Sequence, residues 1–304
     1  KGYLSNNKIY KKSINTIYDD ILNINRYEKQ IKKFKPEIII HLASQPVVKY
    51  SYKNTKNTYL TNVMGTIELL ELVKKIDSVN QILIFTSDKV YRNLSGKILK
   101  EEENLGGLDP YSSSKSSQDI IANSYKASFF KNSKNIIIVR AGNIIGGGDF
   151  EYSRLIPEIF LAFKKNKKIF LRNPNAIRPW QHIFDVINAL LAIICKSSRK
   201  IENNSITFNV GPNKNSNIKV ISLVNKLIKN FDNFKFGFQY KVKFNETKIL
   251  KLSNEKIKKK IKWKPNISIS KALKLTALWY KEFNNNQNKI YEFSLDQIKN
   301  YFKL

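Results

Sequence analysis

Three short apolar runs, each set off by a segment of helical spacing, limit what this chain can fold into more than any other feature. "PEIIIHLA" (36–43), "NQILIFTS" (80–87) and "NIIIVRAGN" (135–143) are too short for core helices and too uniformly apolar for strands with one wet face. They predict strands covered on both sides, as in a parallel sheet. Between them, over 58–76 and 112–130, apolar residues recur at helical spacing. Parallel strands joined through helices need right-handed crossovers, so this order predicts an α/β fold built on a doubly wound, Rossmann-like parallel sheet. "SITFNVGP" (205–212) reads as a further strand. Sheets of this kind hold ligands at the carboxyl ends of their strands. Here those ends read "HLASQP", "FTSDK" and "RAGN", and they carry most of the polar residues in these segments.

After residue 143 the pattern changes to loops and shorter elements, and 213–304 is helix-rich with a Lys-heavy stretch at 255–264. The division expected is a dinucleotide-binding unit of 1–143 plus about 181–212, and a smaller substrate lobe of 144–180 and 213–304. A single cysteine excludes an internal disulfide, and two histidines exclude most zinc-ligand patterns. Cys195 lies in the apolar helical stretch "NALLAIICK", which predicts a buried structural thiol. No uninterrupted apolar run approaches the roughly 18 residues of a membrane span, so a soluble, cytoplasmic protein with no membrane partner is expected. The formal charge of +30 points towards nucleic acid or an anionic surface. Lysines and asparagines, however, are spread through every segment, and no nucleic-acid signature with interleaved aromatics stands out. The charge therefore reads as a compositional bias, and no nucleic-acid partner is expected.

"DPYSSSK" (109–115) places Tyr111 and Lys115 four residues apart, on one face of a helix. A lysine cation beside a phenol stabilises the phenolate and lowers the tyrosine pKa from about 10. The result is a base able to take a hydroxyl proton while hydride leaves the same carbon. The preceding strand ends in Thr86-Ser87-Asp88-Lys89, where substrate would lie. An adjacent carboxyl and amine there offer an acid and a base for a second proton transfer. Taken alone, Asp88-Lys89 fits a turn ion pair or a solvated strand end as well.

A set of stretches runs the length of the chain: "HLASQPVVKYSY" (41–52), "TNVMGT" (61–66), "TSDKVY" (86–91), "LGGLDPYSSSK" (105–115), "RAGNIIGGGDF" (140–150), "RLIPEI" (154–159), "RNPNAIRPWQH" (172–182), "WKP" (263–265) and "FSLDQIKNY" (293–301). The set resembles the nucleotide-sugar 4,6-dehydratases of the extended short-chain dehydrogenase/reductase superfamily. Its Asp-Lys at 88–89, where TDP-glucose relatives have Asp-Glu, is similar to the members that act on CDP-glucose. The resemblance implies an NAD-dependent lyase that oxidises C4, eliminates water across C5–C6 and returns the hydride to C6, in deoxysugar and polysaccharide biosynthesis. Tyr111 would take the C4 hydroxyl proton, Lys115 hold the cofactor ribose, and Ser87 orient the C4 oxygen. Lys89 would remove the C5 proton and Asp88 protonate the departing C6 hydroxyl. Asn143, Arg154 and Arg178 match substrate-clamping positions, with arginine suited to the diphosphate. Arg172, Asn173 and Trp180 match the nucleotide pocket, although Trp180 serves equally well as core packing. Asp20 and Ile21 resemble the pair that contacts adenine, and Leu42, Ala43, Ser44 and Asn62 would line the NAD site. A homodimer is implied, through the helices at 58–76 and 112–130.

One departure from the family layout is large. The first 35 residues hold a single glycine, Gly2, and no glycine-rich turn to cradle a pyrophosphate. By comparison with the family, a first strand and glycine loop of roughly 35 residues are expected ahead of this sequence. Residues 1–304 alone are then expected to bind NAD at least about a hundredfold more weakly, a loss of roughly 3 kcal/mol or more, than a chain that has them. Three other readings remain open at this level: a nucleotide-sugar epimerase or reductase on the same scaffold, an inactive remnant, and a basic binding module.

Overall fold

The computed structural model describes residues 14–92, 95–151, 153–197, 206–231, 236–238 and 247–304. A 3-10 turn, Ile21–Tyr27, leads into α1 (Glu28–Phe34) and β1 (Ile38–His41). Next come α2 (Val48–Lys53), α3 (Thr55–Tyr59), α4 (Gly65–Lys74), β2 (Gln81–Phe85), β3 (Ser95–Leu99) and α5 (Pro110–Ser128). They are followed by β4 (Asn135–Ala141), β5 (Asn143–Ile145), α6 (Leu155–Lys164), β6 (Ile169–Leu171), β7 (Ile177–His182) and α7 (Ile183–Ser197). The chain closes with β8 (Ile206–Val210), β9 (Asn217–Lys219), α8 (Val220–Ile228), β10 (Phe236–Phe238), β11 (Ile249–Leu252), α9 (Glu255–Ile261), α10 (Ile269–Asn285) and α11 (Ile290–Phe302).

The first sheet runs in the order β1-β2-β4-β8, every pair parallel. All seven residues of β4 are buried, which is why its sequence shows no alternation. One face packs through Ile82, Ile84, Ile136 and Ile138 on Leu69, Leu70 and Val73 of α4 and Ala122 of α5. The other packs through Leu83, Ile137 and Val139 on Val186, Ala189 and Ile193 of α7 and Ile257 of α9. Sequential strands crossing over helices on both faces make the expected doubly wound sheet. β1 is its edge strand, and Ile38 and Ile40 remain 37% and 43% exposed there.

A second sheet, β3-β11-β7-β5 with β9 on β7, stands beyond the carboxyl ends of the first. Around β7 lies a separate core of α6, α8 and α10, containing Ile159, Phe160, Leu223, Leu273 and Tyr280. Two elements cross the division expected from the sequence. β3 leaves the first part of the chain to pair with β11, and α9 returns from the last part to cover the first sheet.

The predicted helix over 58–76 is not one regular helix. α3 and α4 are joined by a π-helical turn, Leu60–Met64. At its end Gly65 lets Ile21 close in: a Cβ on Gly65 would lie 2.6 Å from the Ile21 side chain. The second predicted helix starts two residues early, because Asp109 caps it by accepting from the Ser112 amide at 3.0 Å and Pro110 fills its first position. Cys195 corrects another expectation, since its thiol is exposed. The buried stripe of α7 runs Val186, Ala189, Leu190, Ile193, and residue 195 falls two positions, some 200° around the helix, past its end.

Candidate active site

β1, β2 and β4 are neighbouring parallel strands, so their polar carboxyl ends lie side by side. β2 closes on Thr86, and Ser87 then caps a short 3-10 turn, Asp88–Val90, by accepting from the Lys89 amide at 3.2 Å. The first turn of α5 faces it, and the Ser87 hydroxyl and the Tyr111 phenol are hydrogen-bonded. The other side of Ser87 donates to Asp88 Oδ1 at 3.1 Å. Asp88 Oδ2 is buried and, among the described residues, has no hydrogen-bond partner. Three neighbouring groups that each carry a movable proton are therefore held in a row, with one carboxyl oxygen left for a ligand.

Burial sets the protonation of this row. It pushes the Asp88 carboxyl up to about 6, against the pull of Lys89, the Ser87 hydrogen bond and Arg178. Tyr111 is likewise driven up to about 12 by desolvation. The expectation that Lys115 lowers the tyrosine is not met in this state. Lys115 is 3% exposed and donates to the Phe85 carbonyl at 3.3 Å, while burial brings its ammonium down to about 7. An amine spent on a strand carbonyl and short of charge does little for a phenolate. Lys115 also bears on His41, which burial and this neighbour hold down at about 4.

The cofactor positions expected from the sequence gather at the end of β1. Leu42 and Ala43 are exposed there, and Asp20 is an exposed cap on the 3-10 turn, accepting from the Leu22 amide at 3.0 Å. Ile21 packs behind, against Gly65. Asn62 differs from expectation. It is fully buried, and its amide is spent on the chain: Oδ1 accepts from Gln45 N at 2.7 Å and Ser44 Oγ at 3.1 Å, and Nδ2 donates to Gln45 O at 3.1 Å and Ser114 Oγ at 2.8 Å. With all four bonding positions filled, Asn62 backs this site rather than facing it.

On the opposite wall, Asn143 sits on β5 in register with Trp180, and Arg178 on β7 is 7% exposed with Nη1 donating to Ile177 O at 2.9 Å. Arg154, at the cap of α6, pairs with Asp149 at 2.9 Å, and its charge reaches Tyr111. Arg172 donates to Ser153 O at 3.3 Å, and Asn173 lies beside it in the turn that closes on Ala176. Trp180 is core: it is 5% exposed among the apolar residues around β7, and among the described residues its Nε1 has no hydrogen-bond partner.

The sequence analysis passed over two buried networks. In one, Gln45, Thr58, Thr66 and Gln118 extend the Asn62 cluster, with Thr66 Oγ1 3.0 Å from His41 Nε2 and 2.7 Å from Gln118 Nε2. In the other, Arg140 and Asp119 form a buried ion pair in which Asp119 also accepts from Thr86 Oγ1 at 3.3 Å and Arg140 also donates to Tyr91 OH at 3.1 Å. A signal was available. Asn62 and Thr66, and Ser114 and Gln118, are four apart on helix faces that also present apolar residues. Among the described residues no group of His, Cys, Asp and Glu suits a metal, and no helix is long and apolar enough to cross a membrane.

A family model described as GDP-mannose 4,6 dehydratase matches residues 2–276. This chain belongs to that family. It is 34% identical to the CDP-glucose 4,6-dehydratase of Salmonella typhimurium over 270 residues, 86% of this chain and 75% of the relative. It is 27% identical to the UDP-glucose 4-epimerase of Mycoplasma genitalium, over 72% of this chain and 69% of that one. Among solved structures, the dTDP-glucose 4,6-dehydratase of Bacillus anthracis in complex with NAD superposes with a TM-score of 0.76 at 24% identity, covering 93% of this chain and 85% of that one. The UDP-glucose 4-epimerase of Thermotoga maritima with UDP-glucose superposes at 0.79 and 20% identity, covering 93% and 90%. The fold of these solved structures is thus shared, an α/β architecture on a doubly wound Rossmann-like parallel sheet.

Proposed function

We propose that this chain is a dehydratase converting CDP-D-glucose to CDP-4-keto-6-deoxy-D-glucose. The observation that carries this reading is Asp88. A buried carboxyl with a raised pKa and one unpartnered oxygen, beside a serine–tyrosine pair, is suited to protonating a departing hydroxyl. An epimerase or reductase has no leaving hydroxyl and needs no such acid. The 34% identity to a CDP-glucose 4,6-dehydratase supports the same reaction and the same nucleotide.

NAD fits the residues present. Lys115, now bonded to the Phe85 carbonyl, would turn its amine to ribose hydroxyls, Asp20 is an exposed carboxylate for the adenosine end, and Leu42 and Ala43 are exposed apolar surface after β1. When bound there, NAD would accept hydride from C4 and give it back to C6. The chain's own groups move the protons. Ser87 holds the C4 oxygen, and Tyr111 takes its proton as the C4 hydrogen leaves as hydride. The ketone so formed acidifies the C5 proton, which Lys89 removes. Asp88 protonates the C6 oxygen, and water departs. Arg154 and Arg178 hold the diphosphate as charge-assisted, two-pronged donors. For Tyr111 to act as a base its proton must become easier to lose than burial alone makes it. Ordering Lys115 on a ribose supplies the positive charge that the Phe85 carbonyl now diverts.

The enzyme works, on this reading, in the cytoplasm as a homodimer through α4 and α5, on which Ile120 stands 57% exposed. Incubation with CDP-glucose should yield the 4-keto product, followed by its ultraviolet absorbance in alkali. Turnover of TDP- or GDP-glucose alone would overturn the nucleotide assignment.

A further inference from the structure

A cavity of about 460 Å³ opens between α2, α6 and β6, and no residue of the proton-transfer row lines it. Lys49, Ser153, Glu158, Lys168, Phe170 and Arg172 face it. All but one of its ionisable groups are cationic, and the exception is the half-buried carboxyl of Glu158. Among the described residues Glu158 has no hydrogen-bond partner, although Arg172 and Lys49 are near enough to oppose the upward push that burial gives its pKa. A carboxylate facing a cavity with unused acceptor oxygens awaits a donor.

The cavity adjoins the reaction centre through Arg172, which is bonded to Ser153 O, next to Arg154, whose charge reaches Tyr111. With the hexose at Ser87 and Tyr111 and the diphosphate at the arginines, the next part of the substrate outward is the nucleoside. The ring of Phe170, 55% exposed at the cavity, offers a stacking face.

We infer that Glu158 reads the nucleobase, accepting a hydrogen bond from the 4-amino group of cytosine. This rests on the dehydratase reading only for where the hexose lies. Uracil and thymine present a carbonyl oxygen at position 4, which a carboxylate repels, so one side chain both favours CDP and rejects UDP and TDP. Lys49 and Arg172 flank the carboxylate and favour its ionised form.

The test is titration calorimetry of the full chain with CDP and with UDP, for the parent, Glu158→Ala and Glu158→Gln. The parent should prefer CDP by about tenfold or more, the value of one hydrogen bond made against one refused. Glu158→Ala should lose this preference by weakening CDP alone. Glu158→Gln should strengthen UDP, because a turned amide donates to the 4-oxo group. Melting curves check each fold, and the isosteric glutamine serves if the alanine variant does not fold. Equal parent affinities, or a CDP preference that survives both substitutions, would overturn the assignment. A parent that prefers CDP yet makes no 4-keto product from CDP-glucose would refute the dehydratase reading and leave this one standing.

Discussion

Arg140 and Asp119 meet inside the first sheet's core through two hydrogen bonds of 2.9 Å, with side chains 4% and 0% exposed. One comes from β4 and the other from α5, and Asp119 also accepts from Thr86, directly before Ser87. The pair thus ties the helix that carries Tyr111 and Lys115 to the strand end that carries Asp88 and Lys89. Removing one partner leaves a buried charge uncompensated. Asp119→Ala is expected to cost about 3–5 kcal/mol in chemical denaturation. Replacing both partners with apolar residues of similar volume should restore much of that stability but not kcat, because Thr86 still loses its acceptor. Recovery of kcat together with stability would show the pair to be structural only.

Asp88 makes stability depend on pH in an identifiable direction. Its folded pKa is raised, from 3.8 to about 6. Below 3.8 the carboxyl is protonated in both folded and unfolded chains and has no effect on this account. As pH rises through 6 the folded state must ionise a buried group, and stability falls by up to roughly 3 kcal/mol. Asp88→Asn should therefore melt higher than the parent at pH 8 and match it near pH 4. Thermal scans at the two values decide it; equal shifts at both would place the carboxylate in a solvated setting.

Lys89 and Tyr111 belong to different steps. Lys89→Ala should stop elimination and spare oxidation at C4, so that the absorbance of reduced nicotinamide accumulates on the enzyme with substrate bound. Tyr111→Phe should abolish that signal, with a kcat loss of about 100-fold or more for a missing general base. Equal loss of both signals in Lys89→Ala would contradict the division of roles.

Gly142 joins β4 to β5, where the two sheets come closest. A Cβ there would lie 2.8 Å from the Pro179 carbonyl oxygen and 2.7 Å from its ring. Pro179 is the neighbour of Arg178, so Gly142→Ala should displace the clamp as well as strain the core. A cost of about 1–3 kcal/mol is expected, with KM for the nucleotide sugar rising more than kcat falls. Steady-state kinetics at saturating NAD measures the split.

What could be read in advance followed from residues whose type admits one use. Ile82 to Ile84 and Ile136 to Val139 suit a strand buried on both faces, so the first sheet was legible. The proton-transfer row was legible too, because Ser87, Asp88, Tyr111 and Lys115 lie within a strand end and one helical turn. The second sheet was not: β5 and β9 are three residues each, too short to show a period, and their pairing with β7 joins positions far apart in sequence. Nor were the buried polar networks, since Gln118 and Asp119 look like surface residues until Thr66 and Arg140 are brought against them. Lys126 is the extreme case. At 1% exposure, its ammonium is spent on the carbonyls of Phe130, Lys131 and Lys134.

The two cores described above are built from different helices, and the proposed chemistry and the proposed base recognition are assigned to elements of different ones. Ser87, Asp88, Lys89 and Tyr111 follow β2 and open α5 of the first, whereas Glu158, Phe170 and Arg172 lie on or next to α6 and β6 of the second. On those two proposals, a lineage would exchange its nucleotide by changing side chains on α6 and β6 without disturbing a single proton-transfer group. Selection would then act on what is bound and on what is done to it as two nearly independent traits.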